Sequence, residues 1–201
     1  EVTRFKARLV AQGYSQQYGT DYDQVFAPVV RQTTFRTLLA VAAKQGMMVR
    51  QYDVKTAFLY GTLEEEIYLR QPPGFTVPGQ ENKVYRLKKS LYGLKQAARS
   101  WNQKLHSELV RLGFQKCEAD PCLYRKKEGN QWCYILVYVD DIIIASCNEQ
   151  FIEKTAKGLQ KQFTISSMGD VRWYLGIEVQ RDGNGDFFMN QKQYIDEILR
   201  T

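Results

Sequence analysis

Three aspartates carry the main chemical signal of this sequence. Asp140 and Asp141 are adjacent and interrupt an apolar, β-branched run, and Asp53 ends a separate apolar run. Neighbouring carboxylates repel each other and resist joint ionisation, so a compensating charge is expected. Divalent cations such as Mg²⁺ take carboxylate oxygens as ligands, and two ions about 3.5–4 Å apart can promote an in-line phosphoryl displacement. The pattern indicates polymerase or nuclease chemistry, with Asp53 as the third ligand.

A purely structural explanation of the same residues stays open. Asp-Asp is a common turn dipeptide, and aspartate often ends a strand because it accepts local backbone hydrogen bonds. On residue types alone, Asp140-Asp141 is more often a turn than a catalytic pair.

Strands must position these carboxylates, and the hydropathy pattern predicts them. Residues 132–139 and 142–145 indicate a buried hairpin with both carboxylates at its tip, and residues 47–54 indicate the strand that carries Asp53. Other predicted strands cover residues 4–10, with Arg4, Lys6 and Arg8 on one face and Phe5 and Leu9 on the other, residues 66–71, and a hairpin over 175–189.

Helical spacing of apolar residues predicts helices between these strands. They cover residues 33–46, with an N-cap at Thr33-Thr34 and a stop at Gly46, residues 96–113, a segment capped by Asn148, and a segment from Gln191 onward. Hairpins and helices alternate without regular βα crossovers, which predicts the α+β class with an antiparallel or mixed sheet.

Composition narrows the function classes. The 201 residues carry 28 Lys and Arg against 22 Asp and Glu, a net charge of +6 that favours a polyanionic partner. The four cysteines lack CxxC spacing, and a single histidine, His106, argues against zinc sites and most histidine-based nucleophile schemes. No apolar run approaches membrane-spanning length, so no membrane partner is expected. We interpret the chain, which starts without Met, as a piece of a longer protein.

Five segments around an intact Tyr138-Val139-Asp140-Asp141 resemble the reverse transcriptase domain of copia-type LTR retrotransposon Pol polyproteins, in that family's order. They are residues 5–11 (FKARLVA), 26–30 (FAPVV), 53–59 (DVKTAFL), 90–96 (SLYGLKQ) and 174–179 (YLGIEV). The resemblance runs from end to end of the chain.

The resemblance implies an α+β right-hand polymerase fold with fingers and palm, an antiparallel palm sheet backed by helices, and a thumb that is largely missing. Fingers elements are expected mainly over 1–45 and 62–95, the palm mainly over 46–61 and 96–190, and the start of the connection to the thumb over 191–201. The implied activity is RNA-directed DNA polymerisation, which extends a primer with dNTPs by two-metal phosphoryl transfer.

The resemblance also assigns residues. Asp53, Asp140 and Asp141 match the catalytic, metal-binding carboxylates. The residues matched to the nucleotide site are Lys6 or Arg8 for the triphosphate, the Val54 carbonyl as a further metal ligand, Phe58 as a steric gate against a ribose 2′-hydroxyl, and Tyr92 and Gly93 in the pocket. Those matched to primer or template are Tyr138, Leu175 and Gly176, the last two in the primer-gripping hairpin.

Each of these residues also has an ordinary structural explanation. Phe58 is a typical core residue, Lys6 and Arg8 suit a solvated strand, and Gly93 and Leu175-Gly176 suit simple turns.

A basic stretch, interleaved with Tyr92 and Trp101, suits template or primer phosphates. It comprises Lys88, Lys89, Lys95 and Arg99. By resemblance, the cofactor is a pair of Mg²⁺ ions, with Mn²⁺ as an alternative. The implied partners are an RNA or DNA template with primer, dNTPs, and the integrase and RNase H regions of a Pol polyprotein. The implied location is a cytoplasmic virus-like particle, with a nuclear phase also allowed.

Two other functions stay open at this point. A decayed or co-opted retrotransposon copy would bind nucleic acid or a partner without polymerising, and a two-metal nuclease would use the same carboxylates for cleavage.

Overall fold

Helices and antiparallel strands make up the described part of the chain, residues 5–200 of a computed structural model. The α-helices are α1 Gln32–Gln45, α2 Ala97–Arg111, α3 Glu149–Gln160 and α4 Lys192–Arg200. The strands are β1 Met48–Val54, β2 Tyr68–Arg70, β3 Val84–Arg86, β4 Gln115–Lys116, β5 Leu123–Glu128, β6 Gln131–Tyr138, β7 Asp141–Ser146, β8 Ile165–Asp170, β9 Trp173–Tyr174, β10 Ile177–Arg181 and β11 Phe187–Asn190. Short 3₁₀ helices cover Gly13–Ser15 and Ala57–Tyr60.

The described chain divides into two units. The first unit comprises residues 5–27 and Thr56–His106, and the second comprises Pro28–Lys55 and residues 107–200. The three aspartates singled out from the sequence, Asp53, Asp140 and Asp141, all lie in the second unit.

A six-stranded antiparallel sheet, ordered β4-β5-β6-β7-β1-β8, forms the frame of the second unit. Helix α1 and the small sheet β11-β10-β9 bury one face of it, where Phe35, Leu39 and Tyr174 pack with Val49 and Ile143. Helix α3 contacts β7. The mixed helix and sheet composition and the antiparallel sheet that the sequence predicts are confirmed.

Helix α1 begins one residue earlier than its sequence suggests, and the predicted Thr33-Thr34 cap is wrong. Arg31 is the N-cap, and no side chain caps it locally. The hydroxyl of Thr34 instead donates to the buried carboxylate of Asp120, 86 residues away, at 2.6 Å. The helix ends as predicted, because Gly46 has a φ of 63°, a left-handed conformation that glycine adopts without a Cβ penalty.

The first unit has a small core around Ala11, Ile67, Leu94 and Ala97. Strands β2 and β3 pair as a hairpin, and the backbone of Ala11 donates to the carbonyl of Tyr92 at 2.7 Å. At Gly93, with a φ of 90°, a Cβ atom would overlap the carbonyl oxygen of Ala11. Close backbone approach therefore explains this glycine within the fold.

The strand predicted over residues 4–10 is wrong for its described part. Residues 5–10 have no regular secondary structure, and Arg4 lies outside the described residues. Phe5 is 92% and Leu9 55% exposed, so the predicted apolar face is not buried. An extended segment needs a neighbouring strand and a buried face to be stable, and alternation alone supplies neither.

The hairpin boundaries also differ slightly from the sequence prediction. Only Asp140 lies in the turn, whereas Asp141 is the first residue of β7. Likewise Leu175 and Gly176 form a turn between β9 and β10 rather than the start of a strand. No helix among residues 5–200 is both long and apolar enough to cross a bilayer.

Candidate active site

The strand register places Asp53 directly opposite Asp141. Their Cα positions are partners across β1 and β7, and Tyr138 and Ser166 continue the same row on β6 and β8. Directly opposed residues of an antiparallel pair point to the same face, so these four side chains share one face of the sheet. The two carboxylates that the sequence separates by 88 positions are therefore neighbours.

A two-residue turn brings Asp140 to the same place. Val139 and Asp140 connect β6 to β7, and the amide of Val54 donates to the carbonyl of Asp140 at 2.8 Å. Val139 has a φ of 52°, the sign that type II′ hairpin turns need at their first position. A β-branched residue is strained there, by about 1–3 kcal/mol, so surrounding structure must hold the turn.

The electrostatics of the row favour a bound cation. Burial raises the pKa of Asp141, and the charges of Asp140 and Asp53 raise it further, while a hydrogen bond from Gln51 opposes them. That bond joins the Gln51 side-chain amide to Asp141 Oδ1 at 3.3 Å. The negative charges thus destabilise one another, and a divalent cation would relieve the repulsion.

The donor set fits a hard cation, although the side chains do not form a closed cage. Within residues 5–200, no three His, Cys, Asp or Glu side chains are gathered as a ready metal site. Mg²⁺ usually binds one or two carboxylates together with substrate phosphates and water, rather than a cage made of protein alone. Asp53 and Asp141, opposite each other with Asp140 adjacent, match that mode of binding.

The β9–β10 hairpin lies against the aromatic end of the row. The ring of Tyr174 is 6.4 Å from that of Tyr138 and 4.7 Å from that of Phe35. Leu175 and Gly176, with φ angles of 55° and 74°, have the signs of a type I′ turn. Leu175 packs against the buried cluster, while Gly176 is exposed. Their role toward a primer stays a prediction.

The Tyr174 hydroxyl is buried without a hydrogen-bond partner among residues 5–200. Burial, followed by the charge of Asp141, raises its pKa, so the hydroxyl stays neutral at physiological pH.

The first unit brings together three of the residues matched to the nucleotide site. The Phe58 and Tyr92 rings are 5.1 Å apart, and the Arg8 guanidinium is 5.4 Å from the Tyr92 ring centroid. Phe58 is partly buried against the first unit's core. Lys6 and Arg8 are both exposed. The ring contact places Arg8 beside the aromatic pair.

The basic stretch is only partly available for a ligand. Lys88 and Lys89 are exposed, but the Lys95 ammonium bonds to the Gln16 carbonyl at 3.3 Å and lies 4.7 Å from the Tyr22 ring. Trp101, expected to interleave with these cations, is 1% exposed. This ring is therefore not available to a ligand, because it belongs to the buried apolar face of α2.

Sequence reasoning missed Gln51, which donates to Asp141. The sequence could have indicated this residue, because Gln51 and Asp53 are two positions apart on one predicted strand and therefore share a face. Ser166 had no such signal, since it belongs to a polar strand that hydropathy does not predict.

Comparison with known proteins fits this geometry. A family model described as reverse transcriptase (RNA-dependent DNA polymerase) matches residues 1–201. The chain belongs to the reverse transcriptase family. The family resemblance drawn from the five segments is thereby confirmed.

The related sequences of this reverse transcriptase chain include plant retrotransposon proteins. It is 42% identical over 201 residues to a retrovirus-related Pol polyprotein from transposon TNT 1-94 of Nicotiana tabacum. It is 40% identical over 198 residues to that of transposon RE1 of Arabidopsis thaliana. These matches cover 99% and 98% of this chain but only 15% and 13% of the two polyproteins. A solved apo telomerase from Candida tropicalis is 12% identical, with a TM-score of 0.42, over 81% of this chain and 40% of its own.

Proposed function

We propose that this chain is the RNA-directed DNA polymerase domain of a copia-type Pol polyprotein, extending a primer with dNTPs on an RNA or DNA template. The observation that carries the proposal is the pairing of Asp53 with Asp141 across β1 and β7, with Asp140 in the adjoining turn. Family membership over the whole chain supports the same activity.

In this proposal the carboxylates hold two divalent cations, Mg²⁺ or Mn²⁺. Asp53, Asp140 and Asp141 are the ligands, with the Val54 carbonyl as a further one. When bound, the cations would neutralise phosphate charge and lower the pKa of the attacking primer hydroxyl. The protein's own contribution is positioning: the paired strands fix Asp53 and Asp141, and the Val54 amide anchors the turn at Asp140.

The aromatic and cationic residues of the first unit take the nucleotide roles in this proposal. Arg8 pairs with triphosphate oxygens through its planar fork, and Phe58 excludes a ribose 2′-hydroxyl. Tyr92, between Arg8 and Phe58, holds both side chains in place. Gly93 then serves the fold of the first unit, through its close approach to Ala11.

The wider assignments are part of the same proposal. They comprise the fingers and palm boundaries, primer contacts at Tyr138, Leu175 and Gly176, attachment to integrase and RNase H regions, and location in a virus-like particle. They follow from the family likeness.

Primer extension tests the activity. A labelled primer on RNA and DNA templates is incubated with dNTPs and Mg²⁺, using wild type, Asp140→Asn, and Asp186→Asn as a matched control at an exposed turn. Loss of one metal-binding carboxylate should reduce extension by roughly 10²–10³-fold, as for other charge-stabilising groups. The control should match wild type, and circular dichroism should be the same for all three.

Three results would contradict the proposal. Extension by Asp140→Asn at more than a tenth of the wild-type rate would remove this carboxylate from the site. Binding of the duplex without extension by wild type would indicate a remnant that only binds. Shortened products without dNTPs would indicate a nuclease.

A further inference from the structure

The cations on the two faces of strand β5 differ in whether a carboxylate pairs with them. Lys126 lies 2.7 Å from the carboxylate of Glu128, which also binds Lys154 at 3.1 Å. Its neighbours Arg125 and Lys127 point to the opposite face, because side chains alternate along a strand. Among residues 5–200, neither of them has a carboxylate within salt-bridge distance. Their charge is therefore not neutralised by the protein.

An aromatic pair on β6 holds these two cations. Trp132 is the register partner of Lys127, and Tyr134 that of Arg125. The Lys127 ammonium is 5.4 Å and the Arg125 guanidinium 5.9 Å from the Trp132 ring centroid. The Trp132 and Tyr134 rings are stacked, 6.0 Å apart at 14°. Cation–π contact fixes the position of a cation without cancelling its charge. These four residues form what we call the aromatic–cationic patch.

The strand face around the patch carries no carboxylate among the described residues. The residues of β4, β5 and β6 that share its face are Gln115, Leu123, Arg125, Lys127, Trp132, Tyr134, Leu136 and Tyr138. None of these is acidic. The nearby carboxylate of Asp120 is buried, and both its oxygens accept hydrogen bonds. Charge complementarity therefore favours a polyanion.

A cavity adjoins the patch and indicates the form of the polyanion. Its volume is about 330 Å³, and Tyr134 and Leu123 of the sheet line it together with Arg31, Thr37 and the hydrogen-bonded Asp120. This is near the lower end of small-ligand sites, roughly 300–1,000 Å³, so it suits a single ring and not a duplex. Single strands are bound by cations on phosphates and aromatic rings on unstacked bases.

We propose that the aromatic–cationic patch binds single-stranded nucleic acid, with phosphates on Arg125 and Lys127 and an unstacked base against Tyr134 at the cavity. The patch lies on the same sheet face as the row formed by Tyr138, Asp141, Asp53 and Ser166. Tyr134 and Tyr138 are four residues apart on β6, and side chains alternate between faces along a strand. At about 3.4 Å per residue, this places the patch roughly 14 Å from that row along the strand. The inference extends the proposed polymerase function, but its test does not use catalysis.

Salt-dependent binding tests the proposal. Fluorescence anisotropy of a labelled oligothymidylate is measured against salt for wild type, for Arg125→Gln/Lys127→Gln, and for Lys157→Gln/Lys161→Gln. The last variant removes the same charge from exposed positions at α3. Each phosphate contact on a single strand contributes about 0.7 to the slope of log K against log salt. The patch variant should lose about 1.4 of that slope, and the α3 variant should lose none.

Cross-linking of wild type supplies a measurement independent of mutant folding. A 4-thiothymidine oligonucleotide should give adducts at Trp132 or Tyr134. Adducts confined to other regions, or equal slopes for the two double variants, would overturn the proposal and favour a protein partner for the patch. These outcomes are separable from the polymerase activity, because binding and cross-linking are measured without dNTPs and do not depend on whether wild type extends primers.

Discussion

Substitution of Asp120 by asparagine should destabilise the second unit measurably. The carboxylate is 1% exposed and links the β4–β5 loop to the start of α1. Its Oδ2 accepts from the Thr34 hydroxyl at 2.6 Å and the Arg31 amide at 3.1 Å, and its Oδ1 accepts from the Cys122 amide at 2.8 Å. A negative charge at a helix N-terminus adds to this stabilisation.

The hydrogen bonds set the expected magnitude. Asparagine has one acceptor oxygen, so in either orientation its NH₂ group faces a buried donor. The least costly orientation keeps the oxygen toward Thr34 and Arg31 and turns the NH₂ group to the Cys122 amide. Loss of one charge-assisted bond together with an unsatisfied buried donor costs about 2–4 kcal/mol. For a chain of this size, the melting temperature should fall by about 5–15 °C.

The effect should also depend on pH. Burial tends to raise the pKa of Asp120, but the hydrogen bonds from Thr34, Cys122 and Arg31 outweigh it and hold the pKa below its ordinary value of 3.8. A carboxylate with a depressed folded-state pKa stabilises the fold above its unfolded pKa and loses that contribution as the pH falls through the folded value. The difference between wild type and variant should therefore be constant near neutrality and shrink below about pH 3.8.

Urea unfolding followed by circular dichroism, from pH 7 to pH 3, measures both effects. Asp186→Asn is the control at an exposed turn, and it should stay within about 0.5 kcal/mol of wild type. A stability of Asp120→Asn equal to that of the control at pH 7, or a deficit that grew in acid, would refute this role of the Asp120 carboxylate.

Three further substitutions give direct readouts. Phe58→Ala should raise ribonucleotide incorporation relative to deoxynucleotide by roughly 10–100-fold in single-turnover extension, and an unchanged ratio would place the gate elsewhere. Gly93→Ala should lower the free energy of unfolding by about 1–3 kcal/mol more than Gly79→Ala, because both have positive φ but of the two only Gly93 faces a crowding carbonyl; equal losses in urea unfolding would contradict this. Gln51→Leu removes the hydrogen bond that lowers the pKa of Asp141, so the acid limb of the pH–rate profile should move to higher pH. An unmoved profile would mean that this bond does not tune the carboxylate.

Local features of the chain were predictable because they depend on neighbouring residues. The run around Asp140 predicted the β6–β7 hairpin, Gly46 marked the end of α1, and Asn148 caps α3 by accepting from the amides of Gln150 and Phe151. Apolar alternation, positive φ at glycine and side-chain capping all act over a few residues. The family motif also lies within such short segments.

Contacts between distant segments were decided only by the tertiary structure. Strands β5 and β8 are charged or polar, so hydropathy does not predict them, and they form because neighbouring strands supply hydrogen-bond partners. The pairing of Asp53 with Asp141 depends on strand register. A shift of one residue would turn every side chain of the shifted strand to the opposite face of the sheet. Asp120 likewise has a role only because α1 begins beside it. The sequence determined which residues could do chemistry, whereas long-range strand pairing determined which of them meet.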